Sequence, residues 1–148
     1  MSDKISVTVA AVIERHGRFL MVEEETDQGV RLNQPAGHLE ANESIVAGAA
    51  RETLEETAYH FLARSLVGIY RWRRPAGGRV YLRFAFAGEL GRHDPERALD
   101  RGILQAVWLT AATLRGQADR HRSPLVMRCV DDYLAGRRYP LDLLAHDE

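Results

Sequence analysis

The chain has 148 residues, 45% hydrophobic and 28% charged, enough to bury the core of one compact domain spanning 1–148 and too few to make a second one expected. A net charge of -1 and a pI near 6.6 supply no global attraction to nucleic acid or anionic lipid. The lone cysteine, Cys129, has no partner for an internal disulfide, and the first apolar run is too short for a signal peptide or membrane span, so a cytoplasmic, water-soluble protein is expected.

Ile5 to Ile13 is rich in β-branched residues, Glu14-Arg15-His16-Gly17 reads as a turn, and Arg18 to Val22 resumes an apolar run, which predicts a hairpin. Glu23 to Arg31 is polar and predicts a loop. Leu32 to Pro35 predicts a short extended piece, because the residue before a proline is pushed out of the helical region. Glu43 to Thr57 contains no proline, and Val46, Ala49, Ala50 and Thr53 recur at helical spacing, which predicts a helix with a stripe small enough to pack closely on a sheet. Phe61 to Trp72 and Val80 to Leu90 predict long strands joined across a segment containing Pro75, Gly77 and Gly78. Gly91 to Gly102 predicts a loop, Leu104 to Leu109 a strand, and Thr110 the cap of a short helix through Arg115. A last helix opens at Ser123-Pro124, repeats Val126, Cys129, Val130 and Tyr133 at helical spacing, and stops at Gly136. Strands and helices interleave without the regular alternation of a doubly wound sheet, which predicts an α/β chain with a mixed sheet sandwiched by helices.

On the helix Glu43–Thr57, the carboxylates Glu52, Glu55 and Glu56 fall at i, i+3 and i+4, on one side. Stability does not favour this arrangement. The like charges Glu52 and Glu56 repel by roughly 0.2–0.5 kcal/mol, and the C-terminal end of the macrodipole disfavours anions. A cation is expected against them, and hard carboxylate oxygens suit Mg²⁺ or Mn²⁺. Phosphoanhydrides are polyanionic and repel hydroxide, so a metal-bearing acidic face suits their hydrolysis.

The run from Gly37 through Glu43 and Arg51-Glu52 to Glu55-Glu56 resembles the Nudix box, the signature of hydrolases that cleave a nucleoside diphosphate linked to another moiety. Thr53 stands where that pattern has an aliphatic residue, and Ala58 where it has a second glycine. If forced to positive φ, Ala58 costs on the order of 1 kcal/mol. The segments NQPAGHLE (33–40), LRFAF (82–86), RSPLV (122–126) and RYPL (138–141) resemble the bacterial NudJ-type phosphatases of that family. The resemblance implies an α/β/α sandwich with the box helix on one face of a mixed sheet. It also implies Mg²⁺-dependent hydrolysis of nucleoside tri- or diphosphates or of thiamine and hydroxymethylpyrimidine pyrophosphates. By the same resemblance Glu52, Glu55, Glu56 and the Gly37 carbonyl hold the cation, and Arg51 orients the glutamates. ADP-ribose or nucleotide-sugar cleavage is the alternative within the class, and a catalytically silent nucleotide sensor the alternative outside it.

The general base is open between Glu52 or Glu56 and three acids outside the box, Glu89, Glu96 and Asp100, with a box glutamate favoured. Glu43 is expected to be structural. Six arginines and no acid lie between Thr57 and Gly88, a candidate basic wall for phosphates. Against that, 19 of the 20 basic side chains are arginine. Arg83 is the strongest substrate candidate, followed by Arg71. Tyr70 and Trp72 are candidates to stack on a ring, and His38 neighbours the cation site. Asn33 and Gln34 either read a substrate edge or end a strand. Cys129 falls on an apolar stripe and is expected in the core. A small-molecule nucleotide or pyrophosphate is the expected partner, for a monomer or a homodimer.

Overall fold

The computed structural model describes residues 4–148. Among the described residues, eight strands run β1 Ile5–Ala11, β2 Glu14–Arg15, β3 Arg18–Thr26, β4 Gly29–Asn33, β5 Ala36–His38, β6 Tyr59–Arg73, β7 Val80–His93 and β8 Ile103–Thr110. Three α-helices are α1 Ile45–Thr57, α2 Ala111–Arg115 and α3 Leu125–Leu134.

The strands form two sheets. One is mixed, in the order β5-β1-β7-β6, with β1 parallel to β7 and both outer pairings antiparallel. In the other, β3 pairs with β2 and β4 along one edge and with β8 along the other, all antiparallel. The chain crosses between sheets just past β1. The Ala11 and Val12 amides donate to Pro35 and Phe86 carbonyls, whereas the Ile13 carbonyl accepts from Leu20.

This crossing corrects the expected hairpin. β1 itself does not pair with the apolar run that follows; Ile13 and β2 do, through a tight turn at His16-Gly17, both at positive φ. The polar segment Glu23 to Arg31 is likewise strand rather than loop. Glu23 to Thr26 continue β3 and pair with Gly29 to Leu32 across a two-residue turn. Neighbouring strand residues point to opposite faces, so the polar run marks a strand with both faces partly accessible, not irregular structure.

Period-two alternation divides the core between the faces of the first sheet. Val9, Ala11 and Phe86 pack with Ala49 of α1, and Ala10, Ala85 and Ala87 pack with Val126, Cys129 and Val130 of α3. Helices therefore cover both faces, which is the α/β/α arrangement expected. Cys129 is free and fully buried in that core. Among the described residues no helix is long and apolar enough to cross a membrane.

α1 begins two residues later than expected, because Ser44 is its N-cap and its hydroxyl accepts from the Ala47 amide. It ends where Ala58 adopts φ 63° and donates its amide to the Leu54 carbonyl. α2 is capped by Thr110, as its sequence predicts.

Candidate active site

α1 buries Gly48, Ala49, Glu52, Thr53, Glu56 and Thr57. The small residues let the helix lie close to β1, β5 and β6, and the two glutamates are carried inward with them. Glu52 is 8% exposed and Glu56 7%. Gly37 makes this approach possible: a Cβ there would overlap the Glu52 carboxylate. Next to it, the Ala36 amide donates to Glu56 Oε1 at 2.9 Å.

Arg51 organises the remaining acids. Its Nε donates to Glu43 Oε1 at 2.7 Å and its Nη1 to Glu52 and Glu55 at 2.8 and 2.6 Å. Its Nη2 reaches Glu43 Oε2 at 2.8 Å and the His38 carbonyl at 3.0 Å. Glu43 lies just outside the helix and closes the loop by accepting from the Glu40 amide at 2.9 Å. This is the geometry of an orienting arginine and a structural glutamate.

Burial sets the electrostatics. The Glu56 carboxyl is pushed up to about 9, first by loss of solvent and then by the charges of Glu52, Glu24 and Asp100, against the pull of the Ala36 amide. Glu52 is also raised by burial, and Arg51 draws it partly back. Glu43 moves the other way, held low by its hydrogen bonds from Arg51.

Of the three outside candidates for the base, the fold brings in one. Asp100 donates its amide to the Glu55 carbonyl at 2.9 Å. One carboxylate oxygen each from Glu52, Glu55 and Asp100 lie within 4.8 Å of one another. Glu89 is exposed and paired with Arg64, and Glu96 is exposed on the loop before Asp100. The residues present fit a divalent cation: hard oxygen donors converge, and the glycine beside them leaves the space that a side chain would fill.

Glu52 and Glu56 open onto a cleft of about 420 Å³. Gly37 and His38 line it beside them, as do Trp72, Tyr81, Arg74 and Arg83. The Trp72 and Tyr81 rings stack with centroids 5.9 Å apart. Two expected substrate residues are not in it. Arg71 is exposed and alternates away from Trp72, as neighbours on a strand must. Tyr70 is buried, donates its hydroxyl to Asp132 at 2.8 Å, and lines a separate recess with Arg128. Of the six arginines in the acid-free stretch, only Arg74 and Arg83 line the cleft.

Sequence reasoning gave no place in the cleft to Arg122, Ser123 or Leu125, which also line it, nor to Tyr81. The RSPLV segment was visible only as a resemblance. Glu24 also lines the cleft, with Arg122 at 3.6 Å.

The sequence profile of the NUDIX domain matches residues 3–129. Phosphatase NudJ of Escherichia coli (strain K12) is 40% identical over 141 residues, covering 95% of this chain and 91% of that one, and the Shigella flexneri protein of the same name matches equally. A NUDIX hydrolase from Nitrosomonas europaea superposes with a TM-score of 0.94 at 50% identity, over 97% of this chain and 98% of the other. A MutT protein from Methanosarcina mazei Go1 shares the fold, with a TM-score of 0.71 at 19% identity over 93% and 99% of the two chains. The chain belongs to the NUDIX domain family. It is a hydrolase of phosphoanhydride-type substrates, similar to phosphatase NudJ over nearly its whole length.

Proposed function

We propose that this hydrolase uses Mg²⁺, with Mn²⁺ as a substitute, to cleave phosphoanhydride bonds in nucleoside tri- and diphosphates or in pyrimidine pyrophosphates of the thiamine and hydroxymethylpyrimidine type. The observation that carries the reading is the convergence of Glu52, Glu55 and Asp100 oxygens within 4.8 Å of one another, with Glu52 and Glu56 also lining a cleft that holds Arg74, Arg83, Trp72 and Tyr81. Glu52, Glu55 and Asp100, with Glu56 and the Gly37 carbonyl beside them, would hold the cation. Bound there, a divalent ion would neutralise phosphate oxygens, lower the pKa of a water and favour in-line attack.

The chain's own groups do the rest. Arg51 fixes Glu52 and Glu55 at the spacing a cation needs. Glu56 would take a proton from the attacking water once a bound cation keeps its carboxylate ionised, and its burial makes that carboxylate the stronger base. His38 lines the cleft with the glutamates, and Trp72 offers it a planar face. The name phosphatase, carried by relatives at 40% identity, supports release of a terminal phosphate.

A substrate panel with Mg²⁺, Mn²⁺ and chelator arms tests this. The expected result is orthophosphate from nucleoside triphosphates or pyrimidine pyrophosphates, abolished by chelator. Two monophosphates from ADP-ribose or nucleotide sugars would move the assignment to internal cleavage. No turnover across the panel would leave a nucleotide sensor and overturn the proposal.

A further inference from the structure

Arg83 is 6% exposed, yet among the described residues no carboxylate pairs with it. Its Nη1 donates to Gln34 Oε1 at 2.8 Å and its Nη2 to Asn33 Oδ1 at 3.0 Å, both neutral acceptors. Gln34 is itself locked, because its Nε2 donates to the Val126 carbonyl at 2.7 Å. The third neighbour is the Cys129 sulfur at 3.9 Å, a thiol that burial keeps neutral. A buried guanidinium is normally matched by a carboxylate, since an uncompensated charge out of water is costly. Here the chain supplies orientation and withholds the counter-charge.

The sheet explains where that charge points. His38, Thr8 and Arg83 occupy one cross-strand row over β5, β1 and β7, and all three line the cleft. Tyr81 and Trp72 face each other in a neighbouring row of the same face. The Arg83 side chain therefore leaves the sheet on the face packed by α3, on the same face as the stacked rings and opposite the one packed by α1, with donors left over after Asn33 and Gln34 are served.

We propose that Arg83 binds an oxyanion of the substrate in the cleft, and that Asn33 and Gln34 are positioning residues that aim its fork without neutralising it. The inference rests on the reading of the cleft as a phosphoanhydride hydrolase site and adds a cation-independent anchor for the anion. It also assigns the NQ pair: these amides hold an arginine rather than a substrate edge.

The test is thermal unfolding of the whole protein in chelator, with inorganic pyrophosphate or an unphosphorylated nucleoside as probe. Pyrophosphate is expected to raise the midpoint of the parent, and the nucleoside to leave it unmoved. Arg83→Met should weaken pyrophosphate binding roughly tenfold or more, the scale of a charged hydrogen bond. Should that variant fail to fold, Asn33→Asp keeps the arginine and gives it an internal counter-ion, and is expected to lose the protection while melting cooperatively. Pyrophosphate protection undiminished in either folded variant overturns the proposal. So does Arg83-dependent protection by the nucleoside, which would make Arg83 a reader of ring acceptors, and so does protection of the parent by neither probe. Because no cation is present, these outcomes are independent of whether the Mg²⁺-dependent hydrolysis above is found.

Discussion

α1 and α3 flank the same sheet and bury opposite kinds of surface. α3 covers its face with Leu125, Val126, Cys129 and Val130, whereas the inner side of α1 offers Gly48, Ala49 and Thr53 and then two carboxylates. An apolar stripe contributes to stability through area removed from water, and of these four side chains only Leu125 reaches the wall of the cleft. Buried glutamates lower stability unless something is bound against them. The difference teaches that the first helix is placed by close packing of small residues so that acids reach the cleft, while the second supplies the cohesion that tolerates them.

The sharpest way to break that comparison is a matched pair of substitutions. Glu56→Gln is expected to lose on the order of 100-fold or more in kcat while remaining folded. Val126→Ala is expected to cost about 2 kcal/mol in a denaturant titration and leave kcat close to the parent's. Full activity in Glu56→Gln, or a kcat loss in Val126→Ala as large as that in Glu56→Gln, would erase the division of labour.

A second expectation concerns pH in chelator. Glu56 titrates near 9 when folded against an ordinary value of 4.5, so between those limits the native state keeps a proton that the unfolded chain releases. Its contribution to stability is therefore greatest below about pH 4.5 and declines as pH rises towards 9. Added Mg²⁺, which needs the ionised carboxylate, should stabilise more at pH 8 than at pH 6. Melting curves of the parent and of Glu56→Gln decide it: the variant should show a shallower decline, and an identical slope would remove Glu56 as the cause.

The smallest effect belongs to the helix end. Ala58 holds φ 63° where the family pattern has glycine, so Ala58→Gly should raise stability by about 0.5–1 kcal/mol with kcat unchanged. A destabilised Ala58→Gly would mean that the lost methyl packs more strongly than the backbone is strained.

What the sequence made legible is what depends on local spacing. The extent of α1 followed from its small-residue stripe, its acidic face from three offsets, and the α2 cap from Thr110. Features set by distant partners stayed hidden. Glu23 and Glu24 read as loop because polarity was visible and their β8 partners, Gln105 and Ile103, were not. The switch of sheets after Ala11 depends on Pro35, Phe86 and Leu20 at once. Arg71 was misplaced for a different reason: alternation alone puts it on the face away from Trp72. Tyr70 does share that face, but Asp132, 62 positions on, captures its hydroxyl.

Arg51 joins the backbone of β5, the loop at Glu43 and two glutamates of α1 through one planar group. Such a rivet makes the floor of the cleft mechanically separate from its opposite bank. Side chains at Trp72, Tyr81 or Arg122 can be exchanged to admit a differently shaped ligand without loosening the acids. New selectivities are therefore open to this scaffold by redrawing one bank and leaving the other untouched.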